Sequence, residues 1–188
     1  MEKFRQYIKT LPDFSAEEFT LIKPFLREIK LDKNKHFLQT EQICRDIAFI
    51  EKGIMRIYYI TEEGKEITSC FCKENNFVTS YQSLIAKQKS AFSIQALEPT
   101  TLTVLSYEKL ELLFKKSIFW QQAGRLIMGT EYLRSECHNR FLDELSAKER
   151  YLKIMKDEKY LLQRVSLKHL ASYLQITPES LSRIRKEV

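Results

Sequence analysis

Residues Ser166–Lys186 read "SLKHLASYLQITPESLSRIRK". Leu170, Ala171 and Leu174 recur at helical spacing, and Leu181 with Ile184 does the same after a break. The stretch predicts one helix over Leu167–Leu174 and a second from Pro178 to about Lys186. Ile176 fills the turn between them. Thr177-Pro178-Glu179 is a strong helix opening. Thr caps, Pro is tolerated where its missing N–H costs nothing, and Glu suits the positive end of the helix dipole. A small residue at Ala171 lets the two helices cross closely, at about 90–120°. Gln175 stands where such a turn usually has Gly, and it takes the left-handed conformation at modest cost. The expectation is a helix-turn-helix.

Opposite the apolar face of the second helix, Glu179, Ser182, Arg183 and Lys186 fall in steps of three and four and form one stripe. Arg pairs with guanine, Glu accepts from cytosine, and Ser serves either. The helix N-terminus also attracts phosphate. The net charge of +6 supports this reading by its placement. From Ser146 onward there are 10 Lys/Arg and 5 Asp/Glu, a balance of +5, while the first 145 residues hold 21 and 20, a balance of +1. A local basic excess beside a helix-turn-helix is the electrostatic footprint of a DNA-binding module. The expected DNA-facing set is Ser166, Lys168, Thr177, Pro178, Glu179, Ser180, Ser182, Arg183 and Lys186. The bland alternative, a helical hairpin with a solvated face, does not account for the inner-face order, the Thr-Pro opening and the charge together.

Moving toward the N-terminus, a further helix is expected from Lys148 to about Lys156. Before it, no Pro interrupts residues 117–145. Phe119, Ala123, Leu126, Thr130, Leu133 and Cys137 recur there in alternating steps of four and three, an imperfect heptad seam. This predicts a long dimerisation helix pairing two copies in parallel. Tyr107–Lys115 reads as a short helix. From about Glu28 to Tyr107 the period is that of strands: Ala48–Ile50, Gly53–Ile60, Glu66–Cys72, and two more around the Glu98-Pro99 turn, with a hairpin at "TEEGKE". Residues 1–28 read as helical, with a capping box at Ser15-Ala16-Glu17-Glu18. The expected organisation is a β-roll with N-terminal helices over 1–116, a dimerisation helix over 117–145 and a helix-turn-helix domain over 146–188.

Composition narrows the class. Hydrophobic residues are 44% and charged residues 30% of 188, which fits a globular protein with a substantial core. No apolar run has the length of a membrane span, and the charged start "MEKFRQYIKT" has no apolar signal region, so a cytoplasmic protein without a membrane partner is expected. Cys44, Cys70, Cys72 and Cys137 form no zinc-type spacing, so free thiols and no metal are expected. Cys44 alone precedes residue 70, too few cysteines there for an iron–sulfur centre. His36, His138 and His169 are scattered, with no nucleophile or ligand set beside them, and no enzyme activity or cofactor is expected.

The order β-roll, long helix, C-terminal helix-turn-helix resembles the Crp/Fnr superfamily of bacterial transcription regulators, over nearly the whole chain. "FSIQALEPTTLTVLSYEKLELL" resembles the last strands and following helix of that family's cyclic-nucleotide-binding fold. "ASYLQITPESLSRIRK" resembles its recognition segment, in which a Glu, a Ser or Gly, and an Arg face the DNA. Glu179, Ser180, Ser182 and Arg183 fall on those positions, and Pro178 stands where some members have a base-contacting Arg. The resemblance implies an α+β fold: an antiparallel β-roll (jelly-roll) of the cyclic-nucleotide-binding type, a dimerisation helix and a C-terminal helix-turn-helix. Only three residues follow Arg185, so the β-hairpin wing common in the family is not expected. The short form resembles a subgroup seen in Bacteroidetes-type bacteria. Double-stranded DNA and a second copy of the chain are the implied partners. An alternative is a small-molecule sensor whose helix-turn-helix contacts a protein such as RNA polymerase.

The ligand cassette departs from the family. Nucleotide-binding members open it with a Gly-Glu pair and close it with an Arg-Ser/Thr-Ala run. Here the opening falls near Asn75-Asn76-Phe77-Val78, without Gly or Glu, and the Arg position falls on Ser90, followed by Ala91 and Phe92. Lys87 or Lys89 is the available cation, and Lys gives a point charge rather than the bidentate fork an Arg offers a phosphate. Binding of cyclic AMP in the usual way is therefore not expected. A roll without ligand, a less charged effector and an altered nucleotide site all stay open, and the effector is unassigned.

Overall fold

Strand β3 (Asp46–Lys52) is buried on both faces, and the N-terminal half is organised around it. Ala48 and Ile50 point one way, Phe49 and Glu51 the other, as the two-residue period of a strand requires. All four are buried. The computed structural model describes residues 1–188. Around β3 lie β1 (Arg27–Leu31), β2 (His36–Leu38), β4 (Met55–Ile60), β5 (Glu66–Cys72), β6 (Phe77–Val78), β7 (Ser93–Ala96) and β8 (Thr100–Ser106). They form two four-stranded sheets, ordered β1-β8-β3-β6 and β2-β7-β4-β5. In the first, β8 pairs antiparallel with both neighbours, Leu102 lying opposite Ile29 and opposite Ile50. This is the expected antiparallel roll.

The Phe49 face is covered by helices. Helices α1 (Glu2–Lys9) and α2 (Ala16–Ile22), with a 3₁₀ turn over Lys23–Phe25, supply Phe4, Ile8 and Ile22. Helix α4 (Tyr107–Lys116) supplies Leu113, and the start of α5 (Ile118–Glu144) supplies Phe119, Trp120 and Ala123. Phe4 meets Phe49 edge-on with centroids 5.4 Å apart, and Phe14 meets Phe119 at 6.0 Å. Glu51, on the same face as Phe49, accepts the backbone N–H groups of Lys3 (2.9 Å) and Phe4 (3.1 Å) and the Thr103 hydroxyl (2.7 Å). A buried carboxylate thus satisfies the first-turn donors of α1, which no intrahelical carbonyl reaches.

Several expectations change in detail. The strand expected over Gly53–Ile60 begins at Met55. Gly53 has φ +108°, and a Cβ there would sit 2.9 Å from the Thr100 Cα, so this position turns the chain and excludes side chains. The hairpin turn stands as read, with the Thr61 N–H bonded to the Lys65 carbonyl and Gly64 at φ +77°. A helix unread in the sequence, α3 (Tyr81–Ala86), separates β6 from β7. The last 43 residues contain four helices rather than three: α6 (Ala147–Asp157), α7 (Lys159–Arg164), α8 (Leu167–Tyr173) and α9 (Pro178–Lys186). Helix α7 has six residues and no side-chain cap, so no local signal marks it.

The chain divides into two units, Met1–Ile57 with Phe71–Ile127, and Tyr58–Cys70 with Met128–Val188. In the second, the β5 edge is held by α8. The Thr68 N–H donates to the Ser172 hydroxyl, which donates to the Glu66 carbonyl, both at 2.8 Å. One side chain thereby pairs two backbone groups of the edge strand.

Candidate nucleic-acid interface and ligand cassette

Helices α8 and α9 form a helix-turn-helix from the residues that predict it. Leu170, Ala171, Leu174 and Leu181 are buried, and Ile176 and Ile184 are half-buried beside them. Gln175 is in the left-handed conformation, φ +55°. The Ile176 N–H bonds to the Ala171 carbonyl and the Gln175 N–H to the Ser172 carbonyl, a Schellman turn that closes α8 without glycine. Thr177 caps α9 by accepting the Ser180 N–H at 3.2 Å, and Ser166 caps α8 by accepting the His169 N–H at 3.3 Å.

The structure brings Glu179, Ser182, Arg183 and Lys186 to one exposed face of α9. Thr177 and Pro178 are exposed at its N-terminus, and Ser166 and Lys168 are exposed at the head of α8. Ser180 differs from the others. It is half-buried, and its hydroxyl accepts from Thr177 Oγ1 at 3.1 Å, so it belongs to the cap. The Glu179 carboxyl is held below its ordinary value by its own backbone N–H and by the Thr177 side chain, which keeps it an acceptor at neutral pH.

Behind this face, Arg150 on α6 donates from Nε to the Leu145 carbonyl (2.9 Å), from Nη2 to Leu142 (2.7 Å) and from Nη1 to Leu174 (2.7 Å). Helix α6 starts with a capping box between Ser146 and Glu149. His138 on α5 stacks on Tyr173 of α8, with centroids 4.6 Å apart and planes within 13°. Burial, with Arg134 and Arg150 nearby, lowers the His138 pKa and keeps the ring neutral. Arg150 and Tyr173 carry no motif in the sequence; only the folded contacts single them out.

The expected dimer seam is split. Phe119 and Ala123 are 6% and 2% exposed within the chain's own core, because the first turns of α5 cover α1 and α2. Those two positions are therefore not open to a second copy. Farther along α5, Leu126 and Leu133 are 45% and 61% exposed, with Thr130 and Cys137 also exposed on the same four-three rows.

In the cassette, Ser90 is buried, and its hydroxyl donates to the Phe92 carbonyl (2.8 Å) and pairs with the Ser80 hydroxyl (2.7 Å). Ala91 is exposed and Phe92 half-buried. The expected stand-in for the missing Arg lies elsewhere: the Lys89 ammonium is exposed and paired with Glu41 at 2.8 Å. At the opening, Asn75 is in a left-handed turn and Asn76 accepts the Lys73 N–H through Oδ1. Phe77 packs on Tyr7 and Phe49 in the first-unit core. The residue that meets Ser90 is Ser80, at the N-terminus of α3, which the sequence reading placed outside the cassette.

Residues 28–117 match the cyclic nucleotide-binding domain family. The chain is 21% identical over 97 residues, 52% of its length, to the anaerobic regulatory protein of Bacillus subtilis, and spans 41% of that protein. Among solved structures it is similar to FixK2 from Bradyrhizobium japonicum, at TM-score 0.74 and 15% identity, over 86% of this chain and 83% of that one. It is also similar to the c-di-GMP-responsive regulator CLP of Xanthomonas campestris, at TM-score 0.73 and 16% identity, over 92% and 91%. A Crp/Fnr-family regulator from Eubacterium rectale gives TM-score 0.73 and 17% identity over 97% and 87%. A double-sheeted roll, a long helix and a helix-turn-helix thus define the class. Residues 28–117 are similar to cyclic nucleotide-binding domains, and the chain has the fold of the Crp/Fnr-type transcription regulators. None of its helices is long and apolar enough to cross a membrane.

Proposed function

We propose that this protein is a cytoplasmic, homodimeric, sequence-specific DNA-binding transcription regulator without enzymatic activity. The supporting observation is the exposed stripe Glu179, Ser182, Arg183 and Lys186 on a helix seated by buried Leu181. Side chains that read bases stand on one face, and Ser166, Lys168, Thr177 and Pro178 stand where phosphates approach two helix starts. Leu126, Thr130, Leu133 and Cys137 supply the surface for a second copy, which sets two recognition helices about 34 Å apart, one turn of DNA. On a site obtained by in vitro selection, Arg183→Ala is expected to cost about 1–3 kcal/mol and to relax the preference at one guanine. An unchanged consensus and affinity would refute the assignment. The wild-type affinity should also fall steeply with salt as phosphate counterions are released, which a protein-contacting helix-turn-helix would not do.

The same reading takes the roll as one that does not hold a cyclic nucleotide in the family's usual way. Ser90, at the sequence position of the family's phosphate-binding Arg, is buried and paired with Ser80, and the Lys89 charge is directed to Glu41. A buried cyclic phosphate would lack the fork that compensates its charge. Isothermal titration with cyclic AMP and cyclic GMP is expected to give no heat up to about a millimolar, the weak end of measurable affinity. Micromolar binding abolished by Lys89→Ala would make the protein a nucleotide sensor.

A further inference from the structure

Arg150 joins the ends of two helices. Leu142 is in the last turn of α5 and Leu145 lies just past it, so neither carbonyl has an intrahelical donor. Leu174 is the residue that ends α8, next to left-handed Gln175 and three positions before Thr177, the cap of α9. The three nitrogens of one half-buried guanidinium each donate to one of the three carbonyls, at 2.7–2.9 Å. A cation at two helix C-termini is favoured by both dipoles, and hydrogen bonds to a charged donor are the stronger kind. The corner between α5 and α6 is only Leu145 and Ser146, and the Ser146–Glu149 capping box fixes its far side. Arg150 is thus the side chain that hydrogen-bonds the end of α5 to the end of α8, beside the stacking of His138 on Tyr173. Lys cannot replace it, because an ammonium has no planar fork to span three acceptors.

We infer that Arg150 is a positioning residue that sets the operator spacing this regulator accepts. The inference rests on the DNA-binding reading above. In a dimer paired along α5, the angle at this corner fixes the separation of the two recognition helices, and hence the number of base pairs between half-sites. Arg150 touches no DNA in this scheme, so its loss alters which spacing is bound rather than the contacts within a half-site.

The test uses the full chain and duplexes carrying two copies of the selected half-site, with the spacer shortened or lengthened by one and two base pairs, plus a single half-site duplex. Affinities are read by fluorescence anisotropy for wild type, Arg150→Lys and Arg150→Gln, with circular dichroism for folding. Wild type is expected to prefer one spacer at least about tenfold over its one-base-pair neighbours. Both variants are expected to bind all spacers within about threefold of one another and to keep single-half-site affinity within about twofold, since one bidentate base contact accounts for roughly a tenfold change or more. A flat wild-type profile overturns the inference without any variant. So does a variant profile with the wild-type preference, and so does loss of folding in both variants, which would make Arg150 a core residue only. Absence of wild-type binding to every duplex removes the DNA-binding reading itself, an outcome distinct from a flat profile.

Discussion

Replacing Leu126 and Leu133 together by Asp is expected to convert the protein to monomers and to weaken binding to a two-half-site operator by about 10²–10⁴-fold. Both leucines are more than two-fifths exposed in the single chain, so the change costs the isolated fold little. In the dimer, each would place a carboxylate opposite its symmetry mate in an apolar seam, where like charges repel and desolvation opposes burial. The loss of affinity follows from losing the second binding event, which is intramolecular once the first half-site is held. Light scattering should give twice the chain mass for wild type at micromolar concentration and the single mass for the variant. A variant that kept the wild-type mass would place the interface elsewhere. The corresponding change at Phe119 or Ala123 would test nothing about dimers, because those side chains lie in the core of their own chain.

Glu51→Ala is expected to destabilise the first unit by about 3 kcal/mol, since it leaves the Lys3 and Phe4 N–H groups and the Thr103 hydroxyl without their buried acceptor. For a chain of this size that is a fall of about 6–12 °C in melting temperature. Glu51→Gln keeps one oxygen for these donors and should lose less. The effect belongs to stability, so a selected DNA site should keep its consensus below the melting range. Urea titration of wild type and both variants checks the ordering. A Glu51→Ala variant within about 0.5 kcal/mol of wild type, the range of ordinary surface changes, would show that solvent replaces the carboxylate.

The helix-turn-helix was legible because its information is local. Leu170, Ala171, Leu174 and Leu181 are separated by steps that hold for any helix, Thr177 and Ser166 cap through bonds to residues three positions away, and Gln175 declares a turn by its place between two periodic runs. The hairpin at Gly64 was legible for the same reason. Strand limits were less so. Gly53 looks like the first residue of a strand until Thr100, distant in sequence, is seen to occupy the space beside it. Helix α7 escaped because a six-residue helix with no cap is held by what surrounds it rather than by its own pattern.

Periodicity also states that a face is apolar without stating what covers it. Residues 119–137 carry one unbroken four-three row, yet the fold assigns Phe119 and Ala123 to the core and leaves Leu126 and Leu133 at the surface. Lys89 shows the same division in electrostatics. Adjacency to Ser90 makes it a candidate for a phosphate, but Lys89 lies in an isolated bridge to Ile43 ahead of β7, and its ammonium meets Glu41 while Ser90 turns inward to Ser80. Glu51 and Arg150 read in the sequence as ordinary charges. Their partners are backbone groups, which carry no residue identity, at Lys3 and Phe4 in one case and Leu142, Leu145 and Leu174 in the other. The sequence by itself determined the helix-turn-helix, its exposed polar stripe and the alternation that makes a roll, because each is set by contacts within about one helical turn or one hairpin. Tertiary structure alone decided which apolar residues stay exposed, which charges are buried, and which side chain holds the ends of α5 and α8, because those depend on groups brought together from tens of residues apart.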